Sequence, residues 1–251
     1  MSDAALEEFA LRMGDNCLIL GQRVSAWCGY APALEEDIAM ANVALDLIGQ
    51  AKLWLALAGA LEGKGRDADA LAFLRDARAF RNCLLVEQPN GDYGQTLMRQ
   101  FLFDAWHVPM LEGLAASREE RVAAIAAKTA KEAAYHRDRS ADLVIRLGDG
   151  GEESRRRMQT ALDLLWPFAG ELLAADETEA RLAGEGVIPD LADIAKKWTA
   201  FVEPALEEAT LVPPKDAPVR KGGKQGLHTE ALGYVLAEMQ WLQRAYPGAT
   251  W

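Results

Sequence analysis

Two short stretches of the chain set a carboxylate and an imidazole at helical spacing: Lys131-Glu132-Ala133-Ala134-Tyr135-His136 and Asp104-Ala105-Trp106-His107. Side chains three or four positions apart lie on one face of a helix, so either pair could share a metal ion or simply hydrogen-bond. Carboxylate-bridged di-iron centres in four-helix bundles ask for more: a Glu from each of two helices and a Glu-x-x-His from each of the other two, all directed inward. Glu132 and His136 stand four apart where that pattern needs three, whereas Asp104 and His107 have the favoured interval. Only one further histidine is available, His228, near the end of the chain.

The other ligands are not to be found where a bundle would need them. In the second long helix the best aligned segment is Asp46-Leu47-Ile48-Gly49, with glycine where a histidine is required. Between Asp15 and Trp27 the first helix offers Asp15, Asn16, Gln22, Arg23 and Ser25 but no glutamate. A neutral Gln22 is a poor ligand for iron, which favours carboxylate and imidazole. The bundle is therefore expected to keep the place of a metal centre without the metal, so no catalytic, cofactor-binding or metal residue is assigned. Asp46, Asp104 and His136 would then form a hydrogen-bonded polar network, since a buried acid needs partners. The alternative is an irregular metal site at Asp104, His107, Glu132 and His136. Other enzyme templates are absent: there is no G-x-S-x-G, no G-x-G-x-x-G, no Walker lysine and no H-E-x-x-H. Cys28 sits at the wrong end of its helix for a lowered pKa and reads as a structural thiol.

Composition narrows the function classes. The 251 residues carry a formal charge of -11 and half of them are apolar, which fits a globular protein whose field repels nucleic acid and anionic membranes. Cys17, Cys28 and Cys83 form no C-x-x-C pair, as in a reduced cytoplasmic protein. The acidic start of the chain lacks the basic and apolar regions of a secretory signal, and no membrane span is expected. Lys215, Arg220, Lys221 and Lys224 form a basic cluster that could grip a phosphate or be a solvated loop. Among the seven tryptophans, Trp241 and Trp251 near the C-terminus would suit an interface.

Helices must position these residues. Ala, Leu, Glu and Arg dominate, and the periodicity is that of helices rather than strands. Leu6, Phe9, Met13, Cys17, Leu20, Val24 and Trp27 make one apolar stripe on a first helix running to about Cys28. A second helix, from Leu34 to about Leu61, is so apolar that it should be buried on most sides, with Asn42, Asp46 and Gln50 aligned at successive i, i+4 steps. A shorter helix is expected from Asp67 to about Val86, stopped by Pro89-Asn90-Gly91. A third long helix spans about Tyr93 to Ala116, kinked at Pro109. Ser117-Arg118-Glu119-Glu120 resembles a capping box for a fourth, from about Glu119 to Leu147. Further helices are expected at Glu153 to Ala174, broken near Trp166-Pro167, and at Leu191 to Ala209. A Pro-, Gly- and Lys-rich extended loop over 211–226 leads to a last helix, about Leu227 to Tyr246. The expectation is an all-α single domain over 1–251: a core bundle over about 4–147, extra helices over about 152–210, the basic loop over 211–226 and a C-terminal helix over 227–246.

Several segments carry a family resemblance. Leu18 to Arg23, Leu34 to Ala39, Ala44 to Ala51, Val86 to Asp92, Gln100 to His107, Lys131 to His136, Val144 to Gly150, Leu236 to Gln240 and Arg244 to Gly248, in that order and spacing, resemble the C subunits of bacterial phenylacetyl-CoA monooxygenases. The resemblance covers nearly the whole chain. It implies a ferritin-like four-helix bundle acting as structural partner of a homologous catalytic subunit that holds the di-iron centre and the substrate. The complex would epoxidise the ring of phenylacetyl-CoA with O2 and electrons from NADPH through a reductase subunit. The catalytic relative's ligands do not carry over to this chain, as Gly49 and the missing first-helix Glu show, so no cofactor is implied within it. A stand-alone homodimeric binding module is the third possibility.

Overall fold

A computed structural model describes residues 3–249, and Trp251 lies outside them. Ten α-helices follow in chain order among the described residues: α1 (Asp3–Ser25), α2 (Leu34–Glu62), α3 (Ala68–Phe73), α4 (Leu84–Glu87), α5 (Tyr93–Leu114), α6 (Glu120–Gly148), α7 (Glu152–Leu173), α8 (Glu177–Gly184), α9 (Leu191–Glu208) and α10 (Glu230–Ala245). No described residue is in a strand, and the fold is the all-helical, ferritin-like one expected. Two compact units divide it, one made of the residues up to Pro89 with those from Gly222 onward, the other of Asn90–Lys221. The first boundary falls in the Pro89-Asn90-Gly91 stop.

In the first unit α1 and α2 form an antiparallel hairpin. The α1 stripe is buried from Leu6 to Val24, whereas Trp27 lies beyond the helix in a turn. Gly14 lets Leu55 approach closely, and Phe9 meets the edge of Trp54 at 6.2 Å. Helix α2 buries Met40, Val43, Leu47, Ala51 and Trp54 on one face. Its other face is bare: Leu34, Ile38 and Leu45 are 72%, 55% and 66% exposed. The expected burial on most sides is corrected here, because apolar composition does not say whether a face is covered by its own chain. Asn42 is exposed, Asp46 half-buried and Gln50 buried. Two steps of four residues drift about 80° around a 3.6-residue helix, enough to carry that polar line from outside to inside. Among the described residues α2 alone is long and apolar enough to cross a membrane, and 56% of that span is buried within the protein.

The expected helix over Asp67 to Val86 is instead α3, a 3-10 turn at Ala77–Ala79, and α4. Two buried polar side chains of α1 explain the unwinding. Asp15 pairs with the Arg75 guanidinium and accepts the Arg81 amide at 2.8 Å, while Asn16 accepts the Cys83 amide at 2.7 Å. Amides held this way are not available to a helix ladder.

In the second unit α5 is buried along almost its whole length, including Pro109, and pairs with α6. Trp198 of α9 donates to the Leu102 carbonyl at 3.0 Å and stacks at an angle on Trp166 of α7. The expected capping box does not form. Ser117 Oγ donates to the Val187 carbonyl at 2.6 Å and accepts from the Glu119 amide at 3.1 Å, and Glu119 caps α6 by accepting from the Arg121 amide. Nor does Pro167 break α7, which stays continuous through it with Leu165, Phe168 and Ala169 buried on either side. Pro costs a helix one hydrogen bond, and packing of this flank outweighs that loss. The segment after Leu211 is also more fixed than a free loop: Gln159 bonds both the amide and the carbonyl of Val212, and the Arg220 amide donates to the Pro167 carbonyl at 2.8 Å.

Candidate functional site

Helix α5 brings Gln100, Asp104 and His107 onto one face at steps of four and three, and α6 does so with Glu132, His136 and Ser140 at two steps of four. All but Glu132, which is half-buried, are cut off from solvent. Asp104 accepts from Gln100 Nε2 at 2.7 Å on one oxygen and from Ser140 Oγ at 2.9 Å on the other. Burial pushes its carboxyl up to about 8, against the opposing pull of those two hydrogen bonds and of Arg139 and Arg137. The His107 ring packs on Phe103 and Trp106, with centroids at 4.9 and 6.0 Å. Burial, helped by the neighbouring His136, pushes it down to about 3. At neutral pH Asp104 and His107 are therefore held largely in their uncharged forms.

Asp104 is held by neutral donors in an environment that favours its proton. Among the described residues no three His, Cys, Asp or Glu side chains are grouped so as to hold a metal ion. Asp104, His107, Glu132 and His136 thus lie on two paired helices without forming such a group. The position aligned for a second-helix histidine, Gly49, is exposed, and a Cβ there would meet nothing within 4 Å. The one wholly buried acid of α1, Asp15, is taken up by Arg75.

The family model for the phenylacetic acid catabolic protein matches residues 1–251. The chain belongs to this family. It is also 50% identical over 246 residues to the Escherichia coli (strain K12) protein described as the C subunit of 1,2-phenylacetyl-CoA epoxidase, covering 98% of this chain and 99% of that one.

The other residues singled out in this family member divide differently from expectation. Lys215, Arg220 and Lys221 are exposed in the second unit, with Arg220 over the Phe168 ring at 5.4 Å, but Lys224 is buried in the first. The four cations are not one solvated cluster. Trp241 is 62% exposed, on the rim of an open groove of about 550 Å³ lined by Asp76, Leu236, Gln240 and Arg244. Cys28 is exposed in the turn after α1.

One buried centre was missed from the sequence altogether. Glu87, fully buried at the end of α4, accepts from Asn82 Nδ2 at 2.9 Å, His228 Nδ1 at 2.7 Å, the Thr229 amide at 2.7 Å and Thr229 Oγ1 at 2.8 Å. The available signal was the pairing of a lone acid in Leu84-Leu85-Val86-Glu87 with the one histidine that fits no helical motif.

Proposed function

We propose that this chain is the non-catalytic bundle subunit of a multicomponent phenylacetyl-CoA epoxidase, paired in the cytoplasm with a homologous subunit that carries the di-iron centre. The observation that carries this reading is the state of the α5–α6 cluster. Asp104, with one carboxyl oxygen engaged by Gln100 and the other by Ser140 across two paired helices, suits a packed polar core rather than a metal site. The relative of matching length, described as the C subunit of the epoxidase, supports membership in such a complex. Substrate, O2 and the electrons from NADPH are then handled by the other subunits, and the role of this chain is to stabilise and orient its partner.

The bare face of α2 supports pairing. Leu34, Ile38 and Leu45, with Tyr30 at 80% exposure before them, set large apolar side chains in water along one side of a long helix. Such patches mark interaction surfaces. Iron loading followed by metal analysis of the purified chain tests the reading directly: no stoichiometric iron is expected, and bound iron with O2-dependent turnover by this chain alone overturns it. Co-purification with the catalytic relative over an interface of more than about 2,000 Å² is the expected result in pull-down, against a self-associating chain that captures nothing. If coenzyme A is gripped partly from this side, Lys215, Arg220 and Lys221 are the exposed cations to do it, and neutralising them weakens coenzyme A binding by the complex.

A further inference from the structure

We infer that α10 is held to the first unit by a proton-dependent latch at its N-terminal end, in which His228 acts as an imidazolium between Glu87 and the Phe80 carbonyl. An ionised carboxylate has about four lone-pair sites. Three of those of Glu87 are taken by fixed donors, the Thr229 amide and Oγ1 at Oε1 and Asn82 Nδ2 at Oε2. The fourth faces His228 Nδ1 at 2.7 Å, and the one proton between them belongs to the imidazole, the more basic of the two groups. The second ring nitrogen, Nε2, faces the Phe80 carbonyl at 3.1 Å. A carbonyl only accepts, so Nε2 carries hydrogen as well. Both nitrogens protonated is the charged ring.

The surroundings agree with this reading. Burial alone would lower the affinity of His228 for its proton, but the Glu87 hydrogen bond and charge, the Phe80 carbonyl and Asp15 overcome it, and the pKa is raised. Arg23 of α1 donates to the Glu87 and Ala231 carbonyls at 2.7 and 3.1 Å, and Glu238 of α10 acts on Arg23 in turn. Asp15 is already engaged by Arg75 and the Arg81 amide. The segment leading to the latch fits only without side chains: a Cβ on Gly223 would lie 2.1 Å from the Asn82 carbonyl oxygen, and Gly226 has a φ of +75° against the Arg78 carbonyl. Thr229 spends its hydroxyl on Glu87 rather than on capping α10.

The far end of α10 is fixed differently. Gln240 donates to the Ala72 and Arg75 carbonyls at 2.9 and 3.0 Å, and Arg244 donates to the Phe73 and Arg75 carbonyls. The side chains at this end are an amide and a guanidinium, with no imidazole among them. Deprotonation of His228 therefore loosens one end of the helix only. A neutral ring has a single N–H, so either Glu87 or the Phe80 carbonyl then faces a nitrogen lone pair.

The sign follows from the raised pKa. The contact contributes fully below the ordinary histidine value of about 6.5 and is lost as pH rises through the higher value of the folded state. Hydrogen exchange of the full chain between about pH 6 and about pH 9, corrected for intrinsic chemical exchange, reads this out residue by residue. Protection over 229–236 is expected to fall about tenfold, the equivalent of losing one hydrogen bond to a charged group, while protection over 239–245 holds. The H228Q variant, which keeps a donor without the charge, should lose the pH dependence. Equal loss at both ends of α10, no loss at all, or the same pH dependence in H228Q overturns the proposal. Should H228Q not fold, NMR titration of the His228 ring in the unaltered chain decides: titration above the ordinary value supports the latch, and titration at or below it refutes it.

Discussion

Asp104 and His107 sit three residues apart on α5 and are pushed in opposite directions by the same cause, since burial disfavours charge on either. The signs give a pH signature. Between about pH 4 and about pH 8 the unfolded chain gives up the Asp104 proton while the folded protein keeps it, so stability falls as pH rises across that window. His107 contributes the reverse, costing stability as pH falls below about 6.5, where only the unfolded ring takes up a proton. Asp104→Asn should therefore be near neutral at about pH 4 and stabilising by about 1–3 kcal/mol at about pH 8, as read from urea denaturation at the two values. Asp15→Asn should instead cost about 3–5 kcal/mol, because it leaves Arg75 buried without its counter-charge; a cost near zero would refute the buried pair. The sequence exposed Asp104 and His107 as an acid and an imidazole at helical interval, but not their protonation states, which depend on depth. It gave no hint of Arg75 as the partner of Asp15, because that pairing joins residues about sixty positions apart.

Element boundaries were legible wherever the decisive chemistry was local. Pro89-Asn90-Gly91 stops one segment and the Asp92 carboxylate starts the next by accepting from the Gln95 amide at 2.9 Å; both signals lie within six residues. Boundaries set by distant groups were not legible. The unwinding between α3 and α4 is dictated from α1, and Ser117 is tied to the Val187 carbonyl seventy positions away. The bare face of α2 was hidden for a related reason, since hydropathy reports a need for cover without saying whose surface provides it. Ile38→Lys together with Leu45→Lys should leave the circular dichroism and melting temperature of the isolated chain within the usual range for surface substitutions, about 0.5 kcal/mol. The same pair should weaken capture of the catalytic relative at least tenfold in a binding titration. Intact capture by that variant would remove α2 from the interface.

At the scale of the whole molecule, family membership rests on a match from the first residue to the last and on 50% identity with the Escherichia coli relative. All-helical architecture was legible from composition and period. Glu87 and its donors were invisible, because they join Asn82 with His228 across most of the chain. Glu87→Gln should lower the stability of the whole chain by about 2–4 kcal/mol, measured by thermal melting, with the largest loss of exchange protection in α10.

The first unit is discontinuous in sequence, being completed only by residues from Gly222 onward. During synthesis this sets an order of events. Asn90–Lys221 leaves the ribosome before the first unit is complete, and the buried Glu87 meets His228 and Thr229 only after the C-terminal segment emerges. A nascent chain stalled before Gly222 would therefore present an unfinished first unit, the state that chaperones and early partner binding would have to shelter.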